Sequence, residues 1–214
     1  MTTLAIMKAR IALEVKRPDL TTNGAIANEI TSAINHYRSK KFWFNQKRSQ
    51  VTFNTVADQS DYTSADHADI PNLIGIDFIT AVISGRAVRM KQIKPAIMEL
   101  WLGDTTISSG QPNCYSYYAQ ALRFYQIPDD AYAIRVAGTV RVVAPATDDE
   151  ADNPWMTDAE ELIRMRAEGK IWANWMNDPA AAQVASVQEQ EAFDNLLIET
   201  SSRANVTHIT PSGA

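Results

Sequence analysis

The stretch RSKKFWFNQKRSQVTF, residues 38–53, places five cations (Arg38, Lys40, Lys41, Lys47 and Arg48) around the rings of Phe42, Trp43 and Phe44, with no acidic residue among them. Cations interleaved with aromatic rings are suited to nucleic acid, the charges meeting phosphates and the rings stacking on bases. Five phosphate contacts would give binding a log–log salt slope of about −4.5. A packing role fits the same residues at least as well. Cations after a helix complement the negative end of its dipole, and each ring can bury about 150–250 Å² where helices meet a sheet. The net charge favours packing. The chain carries −5, and setting the five cations aside leaves 15 basic against 25 acidic residues, so any attraction to phosphate is local. The preferred reading makes Phe42, Trp43 and Phe44 a helix–sheet junction; a nucleic-acid-binding module using residues 38–48 is the alternative.

Other groups capable of chemistry are sparse. Asp148, Asp149, Glu150 and Asp152 form the densest acidic group but lack the central glycine and closing glutamate of a calcium loop, so they read as a solvated connector before a helix N-terminus. His36, His67 and His208 lie in different segments without metal-ligand spacing. The single cysteine, Cys114, excludes an intramolecular disulfide and reads as a buried thiol. Neither GxxxxGK[ST], GxGxxG nor GxSxG occurs. No catalytic, cofactor-binding or metal-binding residue is expected, and the chain does not read as an enzyme.

The elements that hold these residues follow from periodicity. Leu4, Met7, Ile11 and Val15 predict a helix capped by Thr3 and stopped by Pro18, and Ile26, Ile30, Ala33, Ile34 and Tyr37 predict a second capped by Asn23. Alternation begins at Val51 and Phe53 and continues in Leu73–Ile83, in AVRMKQI after Gly85, and in two segments, Tyr115–Ile127 and Tyr132–Val143, joined by a turn at Pro128, Asp129 and Asp130. Pro95 opens a short helix, PAIMELWLG. Thr157 to Glu160 fits a capping box for a helix whose face is Ile163, Ala167, Ile171 and Trp175, broken at Asp178–Pro179. A last helix, about 180–203, has Val184, Val187, Phe193, Leu196 and Leu197 on its apolar side.

This order predicts an α+β fold: N- and C-terminal helices forming a helical bundle (1–45 and 155–203) around an inserted antiparallel β domain of about five strands (46–154). Residues 204–214, too poor in apolar side chains to fold alone, form a C-terminal tail that stays mobile or becomes ordered on a partner. No apolar run reaches the roughly 18 residues of a membrane span, and charges at Lys8, Arg10 and Glu14 interrupt any signal-peptide core, so a cytoplasm-like site of synthesis and no membrane partner are expected.

Five runs appear in a recognisable order: the helical N-terminus ending in RSKKFWFNQ, then VTFNTVADQSDY, IPNLIGIDFI, GQPNCYSYYAQALRFYQIPDDAYAIRVAG and DDEADNPWMTDAEELIRMRAEGKIW. Covering roughly residues 24–200, this series resembles the head-to-tail adaptor (connector) proteins of tailed bacteriophages, particularly the podovirus type. The resemblance implies a structural protein of the virion neck, made in the bacterial host cytoplasm. Its copies form a ring, dodecameric in that family, between the portal protein and the distal tail or nozzle proteins, through which genomic DNA passes without sequence-specific binding. An acidic subunit suits such a channel, because a basic lumen would retain phosphates. Carried onto this chain, the resemblance makes Phe193, Leu196, Leu197, Arg203, Val206, His208 and Ile209 portal-contacting residues, and Arg38, Lys40, Lys41, Lys47 and Arg48 contacts to a neighbouring subunit or to DNA. Another neck or tail-completion protein is the structural alternative.

Overall fold

The computed structural model describes residues 2–103 and 108–205, the side chains of 49, 50, 204 and 205 excepted. In chain order the elements are α1 (Leu4–Glu14), α2 (Asp19–Thr22), α3 (Ala25–Tyr37), β1 (Gln46–Asn54), β2 (Asp61–Tyr62), β3 (Leu73–Ile83), β4 (Arg86–Arg89), β5 (Lys91–Gln92), α4 (Pro95–Leu102), β6 (Cys114–Tyr118), β7 (Ala121–Tyr125), β8 (Ala133–Val140), α5 (Pro154–Thr157), α6 (Glu160–Asn174) and α7 (Pro179–Asn205). The fold is mixed α+β. It divides into two compact units, one made of the described residues of Met1–Phe44 and Val142–Ala214, the other of Asn45–Arg141.

In the helical unit, the Thr3 hydroxyl accepts from the Ile6 N–H at 3.4 Å and starts α1, whose Met7 and Ile11 are fully buried. Asn23 accepts from the Ala25 N–H at 3.0 Å, while Gly24 between them has φ of +78°, a left-handed conformation that glycine adopts without Cβ strain. The α3 face is the expected one, with Ile26, Ile30, Ala33, Ile34 and Tyr37 buried.

The C-terminal helices depart from the sequence reading in three places. Residues 157–160 form no capping box: α6 begins at Glu160, and its N-cap Ala159 offers no side-chain hydrogen bond. The capping residue is instead Asn153, whose Oδ1 accepts from the Trp155 N–H at 3.1 Å and starts the extra turn α5. Proline at the first position of α5 fixes φ there and removes a donor that would otherwise need a partner. Finally, Trp175 lies one residue past α6 and is 49% exposed, off the buried face of Leu162, Ile163, Ala167 and Ile171.

The segment from Val142 to Asn153, read from sequence with the β-rich region, belongs to the helical unit. Ala5 N–H donates to the Asp148 carbonyl at 3.0 Å, Lys8 pairs with the Asp148 carboxylate, and the Trp155 indole N–H donates to the Val142 carbonyl at 3.0 Å.

Among the described residues the other unit has eight strands in two four-stranded sheets, ordered β1-β8-β3-β4 and β2-β7-β6-β5. Sequence reading expected about five. The Tyr115–Ile127 segment splits at Ala119 and Gln120, both with positive φ, into the hairpin β6–β7. AVRMKQI divides at buried Met90, β4 pairing with β3 and β5 joining the other sheet beside β6, as a parallel rather than an antiparallel neighbour. Strands of two residues carry no readable alternation.

Inward-facing Val51, Phe53, Ile79, Ala81, Ile134 and Val136 of the first sheet share one core with Tyr62, Tyr115, Leu122 and Phe124 of the second. The second sheet has α4 packed on β6 and β7, with the Trp101 ring 4.9 Å from that of Tyr125. At Gly138 of β8 a Cβ would lie 2.2 Å from the Gly75 carbonyl oxygen, so the close approach of β8 to β3 admits only glycine.

The aromatic anchor of the helical unit supplies the first test. Trp155→Ala removes a fully buried ring and an indole hydrogen bond, and should lower unfolding free energy by about 3–5 kcal/mol in urea titrations. Trp155→Phe should lose distinctly less.

Candidate functional site

The cation–aromatic stretch is divided by the fold. Phe42, Trp43 and Phe44 stand where the chain leaves the helical unit, and all three pack in that unit's core. Phe42 stacks on Phe44 at 5.3 Å, and both meet the fully buried Trp155 edge-on, at 6.1 and 5.2 Å between ring centres. Such edge-to-face pairs contribute beyond the area they bury. Arg38, Lys40 and Lys41 are exposed on the helical unit just after α3; Lys47 and Arg48 lie on β1 of the other unit.

The C-terminal helix clasps this aromatic turn. Trp43 N–H donates to the Thr200 hydroxyl at 3.2 Å, and the Arg203 guanidinium lies 3.6 Å from the Trp43 ring centre. Glu199, one helical turn before Arg203, holds that guanidinium through a 2.6 Å ion pair.

Of the residues expected to touch a portal, two are core. Leu196 is buried, and Phe193, half-buried, stacks on Tyr37 at 5.6 Å and meets Phe42 edge-on at 6.1 Å. Arg203 is exposed but engaged with Trp43 and Glu199, Leu197 is exposed, and Val206, His208 and Ile209 lie outside the described residues. The apolar side of α7 is the expected one only at Phe193 and Leu196. The helix turns Ala185, Ala192 and Leu196 inward along α6, leaving Val184, Val187 and Ile198 out at 59%, 50% and 67% exposure. Small inward alanines let two helices approach closely, so large outward valines mislead a reading based on hydropathy.

A cationic face missed by sequence reading lies on the first sheet of the β unit. Register aligns Thr52, Arg135, Thr80 and Arg89 in one row across β1, β8, β3 and β4. The neighbours of Thr52, Arg135 and Thr80 in their strands point into the core, so this row faces outward, with Arg135 and Arg89 exposed and the Arg89 guanidinium 5.5 Å from the Phe78 ring centre. Lys47, Arg48, Asp77 and Phe78 line a shallow depression on the same unit. Only strand register could have revealed the row, because Arg89 and Arg135 are 46 positions apart.

The acidic connector is partly engaged. The Glu150 carboxylate accepts from Asn153 at 3.0 Å and from the Ala146 N–H at 2.6 Å, and these bonds hold its pKa below the ordinary carboxylate range. His67 Nδ1 accepts from the Asp69 N–H at 3.2 Å in a local turn. His36 is lowered by partial burial and by the Arg166 charge, and burial raises the half-buried Cys114 thiol. Among the described residues no group of His, Cys, Asp and Glu is placed to hold a metal ion, and no helix is long and apolar enough to cross a membrane.

A partly buried ionic cluster, with Arg164 and Glu168 inside and Glu14 exposed, ties α1 to α6. Arg164 bonds Glu14 at 2.7 Å and Glu168 at 3.2 Å, and its Nε finds no partner among the described residues. Burial, then the hydrogen bond and charge of Glu14, push Glu168 up to about 8, against the attraction of Arg164. Burial also raises Glu14, but the Glu168 hydrogen bond and the charges of Arg164 and Arg10 outweigh it and leave Glu14 lowered. Burial and the neighbouring carboxylate thus favour the protonated form of Glu168, while Arg164 and Arg10 favour the ionised form of Glu14.

No family model matches the chain, and no curated protein matches it.

The raised Glu168 gives a signed pH dependence. Because Glu168 is raised in the folded state, its stabilisation is complete below the ordinary glutamate value of about 4.3 and is lost as pH rises through about 8. The thermal midpoint should fall between pH 5 and 8, and Glu168→Gln, which keeps an amide donor but cannot ionise, should flatten that decline; calorimetry across the range checks it.

Proposed function

We propose that this chain is a structural, non-enzymatic subunit of a tailed-phage virion, a head-to-tail adaptor whose copies form a ring joining the portal to the tail and surrounding the path of the DNA. The observation that carries this reading is the order of five residue runs, from RSKKFWFNQ to DDEADNPWMTDAEELIRMRAEGKIW, along the chain. The roles of two of these runs support it. Phe42 and Phe44 of the first pack on Trp155 of the last, so segments that resemble the same family in separate places meet in one core. The two compact units support the finer architecture, a helical bundle formed by both ends of the chain with a β domain inserted at residues 45–141.

In this reading the portal-facing element is the C-terminal end of α7, with exposed Leu197 and Arg203 leading into residues 206–214. Phe193 and Leu196 support that end from within. The distal face meets the next tail component, the protein is made in the host cytoplasm and resides in the virion neck, and DNA passes without specific contacts. A net charge of −5 suits that passage.

Electron microscopy of the purified protein mixed with its cognate portal should show a closed ring on the portal's narrow end, and deletion of residues 204–214 should abolish attachment. A portal that stays bare at saturating protein concentration would overturn the reading.

A further inference from the structure

Two surfaces of opposite character lie among the described residues. On α7, Val184, Val187, Glu191, Asp194 and Ile198 recur at alternating spacings of three and four, so they form one stripe, and all five are exposed. At 3.6 residues per turn, Glu191 and Asp194 fall on opposite sides of the stripe's midline. On the β unit, the outer face of the first sheet presents Phe78, Thr80 and Val82 along β3, flanked by Arg135 on β8 and Arg89 on β4.

We propose that the α7 stripe of one copy docks along β3 on the outer sheet face of a second copy, with Glu191 and Asp194 set between Arg135 and Arg89. Dimensions agree: β8 and β4, one strand to either side of β3, lie about 9.6 Å apart, and a helix with its side chains is about 10 Å across. A helix laid on β3 therefore has an arginine on each flank. Its valines and isoleucine meet Phe78 and Val82, and its two carboxylates meet guanidinium forks suited to them.

Charge selects this occupant over the others. Residues 45–141 hold nine basic and nine acidic side chains, so the whole excess behind the net charge of −5 lies in the segments that form the helical unit. A sheet face with exposed arginines thus meets its opposite sign on a copy of its own chain. Pairing α7 with α7 would put Glu191 and Asp194 of both copies on one seam, where like charges repel. Because the two faces are different surfaces, the contact is heterologous and propagates from copy to copy, closing into a ring if the rotation permits. This contact rests on the ring reading above, for which it supplies the two surfaces.

Sedimentation velocity on the full-length protein at rising concentration and low salt tests it without a portal. Wild-type protein should self-associate, less so as salt rises. Arg89→Glu with Arg135→Glu, and separately Glu191→Arg with Asp194→Arg, should each weaken association on the order of 100-fold while circular dichroism stays unchanged. An equimolar mixture of the two variants should associate again, since each then offers the other a complementary face.

Wild-type protein that is monomeric throughout, or variants that associate like wild type, would overturn the contact. So would a mixture that fails to recover; pairing of α7 with α7 would instead leave the Arg89→Glu, Arg135→Glu variant associating like wild type. Loss of binding to a labelled oligonucleotide by the arginine variant, with self-association intact, would assign the sheet face to nucleic acid instead. Overturning the contact while rings still form on the portal would leave the adaptor reading standing.

Discussion

Trp155 is the side chain on which the helical unit depends. The chain leaves this unit after Phe44 and returns at Val142, and both crossings are fastened to the same indole: the Phe44 ring meets it edge-on, and the Val142 carbonyl accepts its N–H. Phe42 adds a second edge-on contact and passes the packing on to Phe193 of α7. A buried tryptophan suits this position because it combines a large apolar area with one donor, and that donor is satisfied by backbone. Asn153 and Pro154 start the short helix that sets the indole in place.

Polar groups then fix how the helices meet. Glu189 accepts from the Tyr37 hydroxyl and from Arg166 at 2.6 Å, linking α3, α6 and α7, while Arg166 lies over the Tyr37 ring at 5.5 Å. Arg164 does the same for α1 and α6 through Glu14 and Glu168. Removing one member of such a cluster leaves a buried charge uncompensated, which costs more than the intact cluster contributes. With its inward side spent on α6, α7 carries valines, an isoleucine and two carboxylates on the outside, a composition that neither core nor solvent explains.

Much of the helical order was legible in the sequence. Thr3 and the Ile26–Tyr37 face act as their chemistry and periodicity require, because caps and stripes are local properties, whereas Pro18 starts α2 and α1 has already ended at Glu14. The errors are non-local. The aromatic triplet at 42–44 could be placed at a change of structure but not assigned to a side, since only Trp155, more than a hundred positions away, decides it. Likewise, hydropathy put Val184 and Val187 inside α7 because it does not weigh the close helix approach that small Ala185 and Ala192 allow. Of the candidate surfaces, the cations at 38–48 were visible as a run, whereas the Arg135–Arg89 row exists only through register.

The described residues combine an aromatic hub, a β unit with one helix-covered and one cationic face, and a C-terminal helix that presents an acidic apolar stripe. The adaptor proposal requires that many copies of this chain assemble in fixed number on a portal. Native mass spectrometry of the portal complex tests it most directly: a single discrete species is expected, whose mass above the portal is one fixed whole-number multiple of the 23.8 kDa chain. Free portal alone, or a continuous spread of bound copies, would contradict it.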